Sequence, residues 1–430
     1  MKKFLLILFV VIAPFCGSAI GLSCNSSCLY AGEKDSLIYK VRQNDDWVFY
    51  GKNSPEIEIS VKNPDSEESV NNKVTFLVST DKGKKLYEFS QGVSLSPMDS
   101  TVISFGFDVP SPGFYKILLK HDGKLIKKFN IGFEPEKIIS PPDPKPDFRE
   151  FWDKARTELA SVDPQYKVKK LRKKCGSLKN VYLVTMRSLG GVEISGYYVV
   201  PKNKGVYPVV VSYMGYGAKP WCPDPDTDGG RIWFVLSVRG QGLNQPGNIY
   251  GDWITYGLGS RETYYYRGAY MDLIRAIDFV CTRKEADKNN IFVEGGSQGG
   301  AFTFAACALD HRIAAGAPSI PFLSDFRDYF SIVPWPGNNV LKKCKEIGMS
   351  DEKLYDVLSY FDIKNLAGWI KCPIIMASGL QDGTCPPHIN FAAYNQVVTH
   401  KMYYIFPNCG HSVPVLWYNL RDNFFKKYTK

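Results

Sequence analysis

One short stretch divides this 430-residue chain into two parts with different hydrophobic periodicity. Residues 140–147 read Ser-Pro-Pro-Asp-Pro-Lys-Pro-Asp, and proline can continue neither a central strand nor a helix interior. Apolar residues recur with period two before this stretch, whereas apolar runs alternate with amphipathic segments after it. We therefore expect an extended linker at residues 139–147, with an all-β domain before it and an α/β domain after it.

The first part, residues 25–138, has the alternation of short β-strands. Ile57, Ile59 and Val61 alternate with polar and charged residues, and further runs of this kind are bounded by Asn, Pro, Asp and Gly. No helical segment separates the runs, which is typical of a small antiparallel sandwich of immunoglobulin type. Its residues indicate no catalytic chemistry.

The second part, residues 148–430, alternates apolar strand-like runs with helices. We predict strands at residues 207–213, 232–238, 291–293, 373–377 and 402–406. Apolar residues from Tyr270 to Cys281 recur at the spacing of one helical face, which predicts a helix between the second and third strands. Continuously apolar strands separated by helices favour a mainly parallel sheet covered on both faces. Residues 322–369 form a less regular insert, which we expect to be helical.

The N-terminus has the composition of an export signal. Lys2 and Lys3 precede a short apolar run, and small residues then offer a cleavage site after Ala19 or Gly21. The run is shorter than the ~20 residues that span a bilayer. We therefore expect residues 1–21 to be a signal peptide of an exported protein, periplasmic or extracellular, without a stable membrane span.

Composition argues against two other classes of protein. The formal net charge is +10, but Lys and Arg are scattered along the chain, which indicates a basic surface rather than a nucleic-acid site. The cysteines lack the paired spacing of zinc ligands, so we expect no metal centre.

A serine among glycines follows the predicted strand at 291–293. Residues 295–300 read Gly-Gly-Ser-Gln-Gly-Gly and match Gly-x-Ser-x-Gly with Ser297 at the centre. A dinucleotide-binding motif requires glycine at position 297, and a phosphate-binding loop requires Lys-Ser or Lys-Thr after Gly300, where Ala301 stands. The motif instead predicts a nucleophilic serine on a sharp turn between strand and helix.

A serine nucleophile needs a base, and the base needs an orienting acid. His411 follows the last predicted strand, and Asp382 follows the strand before it. The chain order Ser297, Asp382, His411 is the order expected of an α/β-hydrolase. His388 is an alternative base, but it stands at the start of a predicted helix; capping a loop is the alternative role for Asp382.

An anion formed at the serine needs backbone N–H donors. One donor is Gln298, directly after Ser297, at the start of a helix. The second is expected from Tyr216 in the loop Met-Gly-Tyr-Gly at residues 214–217, which follows the predicted strand at 207–213.

Several segments now resemble the acetyl xylan esterase/cephalosporin C deacetylase family. In chain order they are Lys-Pro-Asp-Phe at 145–148, Arg-Gly-Gln-Gly at 239–242, Tyr-Tyr-Tyr-Arg at 264–267, Gly-Gly-Ser-Gln-Gly-Gly at 295–300, Asp-Gly-Thr-Cys-Pro-Pro at 382–387 and Gly-His at 410–411. The resemblance covers residues 140–430. It implies an α/β-hydrolase that removes O-acetyl groups from xylo-oligosaccharides or small acetyl esters through an acyl-enzyme, without a cofactor.

The resemblance also implies roles for individual residues. It implies Ser297, Asp382 and His411 as the catalytic triad and Tyr216 and Gln298 as the oxyanion donors. Arg239 and Gln241 match a family signature, for which we expect a bracing role.

The sequence differs from the family pattern in two places. Ser412 follows His411, where the family usually has Glu, and the segment 242–263 is short beside a family loop that helps to build an oligomer. The sequence therefore allows an oligomer but does not predict one. Two other hypotheses stay open: a peptidase or longer-chain acyl esterase on the same fold, and a non-catalytic carbohydrate-binding protein.

Overall fold

The structure, a computed structural model, describes residues 37–42, 47–51 and 55–430. The predicted signal peptide at 1–21 lies outside the described residues. Within the described ranges, no helix has the length and apolar character needed to cross a membrane.

The described residues before the linker form two sheets, which we call the sandwich. Its strands are β1 (Ile38–Arg42), β2 (Val48–Phe49), β3 (Glu56–Lys62), β4 (Val70–Thr80), β5 (Lys85–Leu95), β6 (Ser100–Gly106), β7 (Gly113–His121) and β8 (Lys124–Phe133). One sheet has the order β1-β3-β6, and the other has the order β2-β8-β7-β4-β5.

The period-two pattern produces the sandwich core. Ile57, Ile59 and Val61 on β3 are buried, together with Phe76 on β4 and Ile117 on β7, because alternate residues of each strand face the opposite sheet. The pairs are antiparallel except for β2 and β8, which run parallel. The prediction of an antiparallel β-rich domain is confirmed, and the short parallel pair is the exception to it.

The linker lies against the second domain. Asp143 donates its backbone N–H to Oδ1 of Asn365 at 2.8 Å, and Ser140 Oγ donates to Oδ2 of Asp325 at 2.6 Å. These contacts place the predicted extended segment along the helical insert rather than free in solvent.

The residues after the linker form the predicted α/β domain, which we call the hydrolase domain after the expected fold. Its elements are α1 (Phe148–Ala160), β9 (Lys167–Lys170), β10 (Lys179–Arg187), β11 (Glu193–Pro201), β12 (Tyr207–Tyr213), β13 (Ile232–Ser237), α2 (Tyr265–Thr282), β14 (Ala286–Gly296), α3 (Gln298–Leu309), β15 (Ala315–Ser319), α4 (Phe326–Ile332), α5 (Gly337–Glu346), α6 (Asp351–Leu358), α7 (Ile363–Ala367), β16 (Ile374–Gly379), α8 (Pro387–Tyr394), β17 (Lys401–Phe406) and α9 (Val415–Lys427).

One sheet runs through the hydrolase domain in the order β17-β16-β15-β14-β12-β13-β11-β10-β9. The pairs from β13 to β17 are parallel, and β9, β10 and β11 add an antiparallel edge that the sequence did not predict. The five predicted strands are confirmed as β12, β13, β14, β16 and β17, and β15 was missed.

Helices cover both faces of this sheet, as the continuously apolar strands predict. On one face, α2 and α3 are buried almost completely. On the other face α9 packs against the sheet, where the rings of Phe292 and Phe425 stack at 4.7 Å. The predicted helical insert is confirmed as α4 to α7. The mainly parallel strands end on the side where Ser297 lies.

Candidate active site

Ser297 occupies the turn between β14 and α3. Its backbone has φ 58° and ψ −119°, in a region that non-glycine residues rarely adopt. The turn is fixed by a hydrogen bond from the N–H of Ser297 to the carbonyl of Ser319, 3.0 Å, and by one from the N–H of Phe322 to the carbonyl of Ser297, 3.2 Å. The surrounding structure thus holds the serine in a strained conformation.

Two glycines of the motif allow this turn. A Cβ on Gly299 would lie 2.1 Å from the carbonyl oxygen of Tyr213, and a Cβ on Gly295 would lie 2.6 Å from the same atom. The turn therefore packs directly on the end of β12, which explains why the residues two before and two after Ser297 have no side chain.

The three residues predicted as a triad lie within hydrogen-bond distance of one another. Nε2 of His411 is 3.0 Å from Oγ of Ser297, and Nδ1 of His411 is 2.8 Å from Oδ2 of Asp382. Oδ1 of Asp382 accepts the backbone N–H groups of Thr384 and Cys385, each at 2.8 Å. Asp382 is 1% exposed, whereas the histidine side chain is 31% exposed.

A thiol that sequence reasoning missed lies beside the serine. Sγ of Cys385 is 3.9 Å from Oγ of Ser297. Burial raises the pKa of the Cys385 thiol well above its usual value, so the sulfur stays neutral and does not compete as a thiolate.

The two predicted oxyanion donors come from adjacent loops. Gln298 is the first residue of α3, where a backbone N–H has no acceptor within the helix. Tyr216 lies in the loop after β12, and a Cβ on Gly215 in that loop would be 3.6 Å from the carbonyl oxygen of Gly296. The positive end of the α3 dipole points at the same place, which favours a developing anion.

Gln241 joins these two loops. Its Oε1 accepts the backbone N–H of Gly217 and Nε2 of Gln298, both at 3.1 Å. Its Nε2 donates to the hydroxyl of Tyr265 at 2.9 Å, and the hydroxyl of Tyr266 donates to Oε1 of Gln298 at 3.1 Å. The buried amide of Gln241 therefore ties both expected donor segments to the start of α2.

Arg239 lies behind this network rather than in the site. Its Nε donates to Oδ2 of Asp272 at 2.9 Å, and its terminal nitrogen donates to Oδ1 at 2.6 Å. Burial alone would lower the pKa of Arg239, but the Asp272 carboxylate outweighs it and raises the pKa. Asp272, which no motif in the sequence singles out, anchors the loop that bears Gln241.

The sandwich contacts the loop that bears Asp382. Gln381 and Asn130 on β8 are reciprocal partners: the N–H of Asn130 donates to Oε1 of Gln381 at 2.7 Å, and Nε2 of Gln381 donates to the carbonyl of Asn130 at 3.1 Å. Nδ2 of Asn130 also donates to the carbonyl of Leu380 at 3.0 Å. Nε2 of Gln381 further donates to the carbonyl of Pro407, in the loop that leads to His411, at 2.9 Å.

His388, the alternative base, lies away from Ser297 and contacts the sandwich. Its Nδ1 is 2.7 Å from Oδ2 of Asp81, and its Nε2 is 3.2 Å from Oδ2 of Asp328 and 3.7 Å from Oδ2 of Asp325. Burial alone would lower the pKa of His388, but the carboxylates of Asp325, Asp328 and Asp81 outweigh it and raise the pKa well above its usual value. His388 is therefore a cationic contact between the two domains.

The ligand atoms of Asp325, Asp328 and His388 lie within 4.8 Å of one another, a spacing that a metal ion requires. Lysine ammonium groups already neutralise this cluster, however. Nζ of Lys364 is 3.1 Å from Oδ1 of Asp325, and Nζ of Lys82 pairs with Oδ2 of Asp328. The lysines and the imidazolium thus supply the positive charge that a cation would otherwise supply.

Aromatic rings form the wall on the Tyr216 side of the serine. The ring of Trp335 stacks on Phe322 at 5.5 Å and meets the ring of Tyr216 edge-on at 5.5 Å. The ring of Trp253 contacts Tyr216 at 5.0 Å. These rings leave an apolar surface next to the expected oxyanion donor.

The chain is similar to several known proteins. Residues 134–428 match the acetyl xylan esterase (AXE1) family. The acetyl esterase Axe7A of Xylanibacter ruminicola is 28% identical over 428 residues, which cover 96% of this chain and 93% of that protein. This alignment therefore extends over the sandwich as well as the hydrolase domain.

Two solved structures match about two-thirds of the chain. The acetyl xylan esterase from Paenibacillus sp. R4 is 32% identical with a TM-score of 0.64, covering 69% of this chain and 99% of that one. Acetyl xylan esterase 1 from Thermoanaerobacterium sp. JW/SL YS485 is 25% identical with a TM-score of 0.62, covering 69% and 98%.

Proposed function

The chain belongs to the acetyl xylan esterase family and is a carboxylic ester hydrolase, and from this premise we propose its substrate and mechanism. It removes O-acetyl groups from acetylated xylan, xylo-oligosaccharides or similar small acetyl esters. Ser297 is the nucleophile, His411 the base and Asp382 the orienting acid. The observation that supports this assignment is the position of His411, 3.0 Å from the serine hydroxyl and 2.8 Å from the carboxylate.

The reaction proceeds in two halves. Oγ of Ser297 attacks the acetyl carbonyl carbon while Nε2 of His411 takes the hydroxyl proton, and Asp382 stabilises the imidazolium through Nδ1–H. The carbonyl oxygen becomes an anion that accepts the N–H groups of Gln298 and Tyr216. When the tetrahedral adduct collapses, the sugar oxygen leaves with the proton from His411, and acetyl-Ser297 remains.

Water then completes the reaction. His411 takes a proton from a water molecule, whose oxygen attacks the acetyl carbon, and the second tetrahedral adduct releases acetate as Ser297 regains its proton. No step requires a cofactor or a metal ion.

The aromatic wall favours a small acyl group. Tyr216, Phe322 and Trp335 pack against one another beside the expected oxyanion donor, and a longer acyl chain would need this cluster to open. An acetyl methyl group would contact the half-buried rings of Tyr216 and Trp335 without displacing them. The proposal therefore includes selectivity for acetyl over butyryl and longer esters.

A panel of p-nitrophenyl esters tests the acyl selectivity. We expect rapid hydrolysis of the acetate and of acetylated xylan, with little turnover of the butyrate and octanoate. Activity that rises with acyl length supports a longer-chain esterase, and absence of any hydrolysis supports a non-catalytic carbohydrate-binding protein. Cleavage of peptide substrates in place of acetyl esters supports a peptidase.

The proposal also includes export from the cytoplasm, since residues 1–21 have the charged, apolar and small-residue regions of a signal peptide. N-terminal sequencing of the mature protein tests it: a start shortly after residue 19 or 21 agrees, and a start at Met1 contradicts it.

A further inference from the structure

A cavity of about 360 Å³ lies between the sandwich and the hydrolase domain, beside the loop that bears Asp382. Residues 381–383 and 386–388 form one wall, and Val333 and Pro334 form another. The third wall belongs to β7 and β8 of the sandwich and includes Lys116 and Lys128. The volume of the cavity is within the ~300–1,000 Å³ typical of ligand pockets.

The two lysines project from the same face of the sandwich. In the antiparallel register of β7 and β8, Lys116 is opposite Asn130 and Lys128 is opposite Leu118. Because alternate residues of a strand lie on the same face, both lysines lie on the face of Asn130, the residue that contacts Gln381. Nζ of Lys116 donates to the carbonyl of Asp81 at 2.6 Å. The side chain of Lys128 is exposed and forms no hydrogen bond or ion pair with another described residue.

The carboxylates around this cavity are already neutralised or hydrogen-bonded. Asp81 pairs with His388, and Asp382 is hydrogen-bonded to His411 and to two backbone N–H groups. The ammonium groups of the two lysines form no ion pair with a carboxylate of the residues that the structure describes. Burial lowers the pKa of Lys116 and the charge of Lys128 lowers it further, while the Asp81 carboxylate has a smaller, opposite effect. An anion between them would relieve this repulsion.

The cavity lies close in sequence and in space to the groups around the nucleophile. Residues 382 and 383 line it, and Cys385, two residues further along the same loop, lies 3.9 Å from Oγ of Ser297. Pro334 lines it as well and precedes Trp335 of the aromatic wall. A substrate with its acetyl group at Ser297 would reach this cavity by extending across Gly383 toward the sandwich.

On the basis of the proposed function, we propose that this cavity is a subsite for an acidic sugar group of the acetylated oligosaccharide. The carboxylate of that sugar accepts hydrogen bonds from the ammonium groups of Lys128 and Lys116, while the acetyl ester is positioned at Ser297. The sandwich thereby contributes to substrate selection, because one charged wall of the subsite belongs to it.

Two acetylated xylo-oligosaccharides, one with a uronic acid side group and one without, test the proposal. We expect kcat/KM of the wild type to be about tenfold higher for the acidic substrate. The acidic substrate should have the lower KM and an unchanged kcat, because the contact is remote from the reacting bond. K128E should remove or reverse this preference. The matched control K124E makes the same change of charge on the same strand, outside the cavity, and should keep the preference.

Each outcome is decisive. Equal kcat/KM for both oligosaccharides in the wild type, or an equal response of K128E and K124E, overturns the subsite. A preference that declines as salt is added supports it, because exposed ion pairs are screened. Failure of the wild type on both oligosaccharides and on p-nitrophenyl acetate contradicts the proposed esterase function itself, and is thus distinguished from failure of the subsite alone.

Discussion

Asn130 of the sandwich and Gln381 of the hydrolase domain are joined by reciprocal hydrogen bonds of 2.7 and 3.1 Å. Gln381 directly precedes Asp382, and its amide also reaches the carbonyl of Pro407, on the way to His411. One side chain therefore fixes the loop of the acid, the loop of the base and the sandwich relative to one another. The sandwich is therefore connected by hydrogen bonds to the loops of the proposed acid and the proposed base.

Replacing Gln381 by Ala is expected to lower kcat for p-nitrophenyl acetate about tenfold with little change in KM, because small displacements of catalytic groups reduce rate more than binding. The control is Gln396→Ala. Gln396 also bonds across to the linker, through the carbonyl of Ser140 at 3.0 Å, but lies outside the site. Steady-state kinetics that change equally in both variants would contradict a positioning role for Gln381.

Gln241→Met keeps the length of the side chain and removes its hydrogen bonds to Gly217 and Gln298. We expect kcat to decrease by ~10², the usual effect of losing an oxyanion donor, since both donor segments lose their connection. Gln245→Met, at an exposed position of the neighbouring turn, is the control and should retain wild-type kcat. Wild-type turnover in Gln241→Met would show that the loops are held by other contacts.

The contact of His388 with the sandwich predicts a dependence of stability on pH. The folded pKa of His388 is raised well above its unfolded value near 6.5, so its stabilisation is complete below about pH 6.5 and is lost as pH rises through the folded value. The charged groups that face it are Asp81, Asp325 and Asp328.

Thermal unfolding of His388→Gln between about pH 6 and 10 tests this linkage. The loss of Tm relative to wild type should be largest at the acidic end and should shrink toward the alkaline end. His311→Gln, at an exposed position, is the control and should follow the wild type. A loss of Tm that is independent of pH would mean that His388 contributes packing rather than charge.

Gly299→Ala is expected to destabilise the protein by about 3 kcal/mol or prevent folding, because its Cβ would meet the carbonyl of Tyr213. Gly92→Ala, where a Cβ meets nothing within 4 Å, should unfold like the wild type in urea. Equal unfolding midpoints for the two variants would show that the turn can relax around a methyl group.

The candidate triad was accessible from sequence because each of its residues follows a strand with a clear apolar pattern. β15 was missed because its sequence, Ala-Gly-Ala-Pro-Ser, has the small residues of a turn. The structure explains why these residues are small. A Cβ on Gly316 would lie 2.6 Å from Sγ of Cys307, because α3 packs closely on this strand. Tertiary packing here determined the strand, and local propensity did not.

The contacts between domains were equally inaccessible from sequence. Asn130 and Gln381 are separated by 251 positions, and neither lies in a motif. His388 was considered as a base, yet its partners come from the sandwich and from the helical insert. Such pairings depend on how the two domains dock. The hydrophobic periodicity of a domain predicts its own strands and helices, and it carries no information about contacts with the other domain.

The most direct test of the central claim is the turnover of Ser297→Ala, measured with p-nitrophenyl acetate and with acetylated xylan, together with labelling by a fluorophosphonate. Ser297 as the nucleophile predicts a loss of ~10⁶ in kcat, a folded protein with wild-type Tm, and label on the wild-type peptide containing residue 297 that is absent from the variant. Turnover near the wild-type value in a folded Ser297→Ala protein, or label on another residue, would contradict the account.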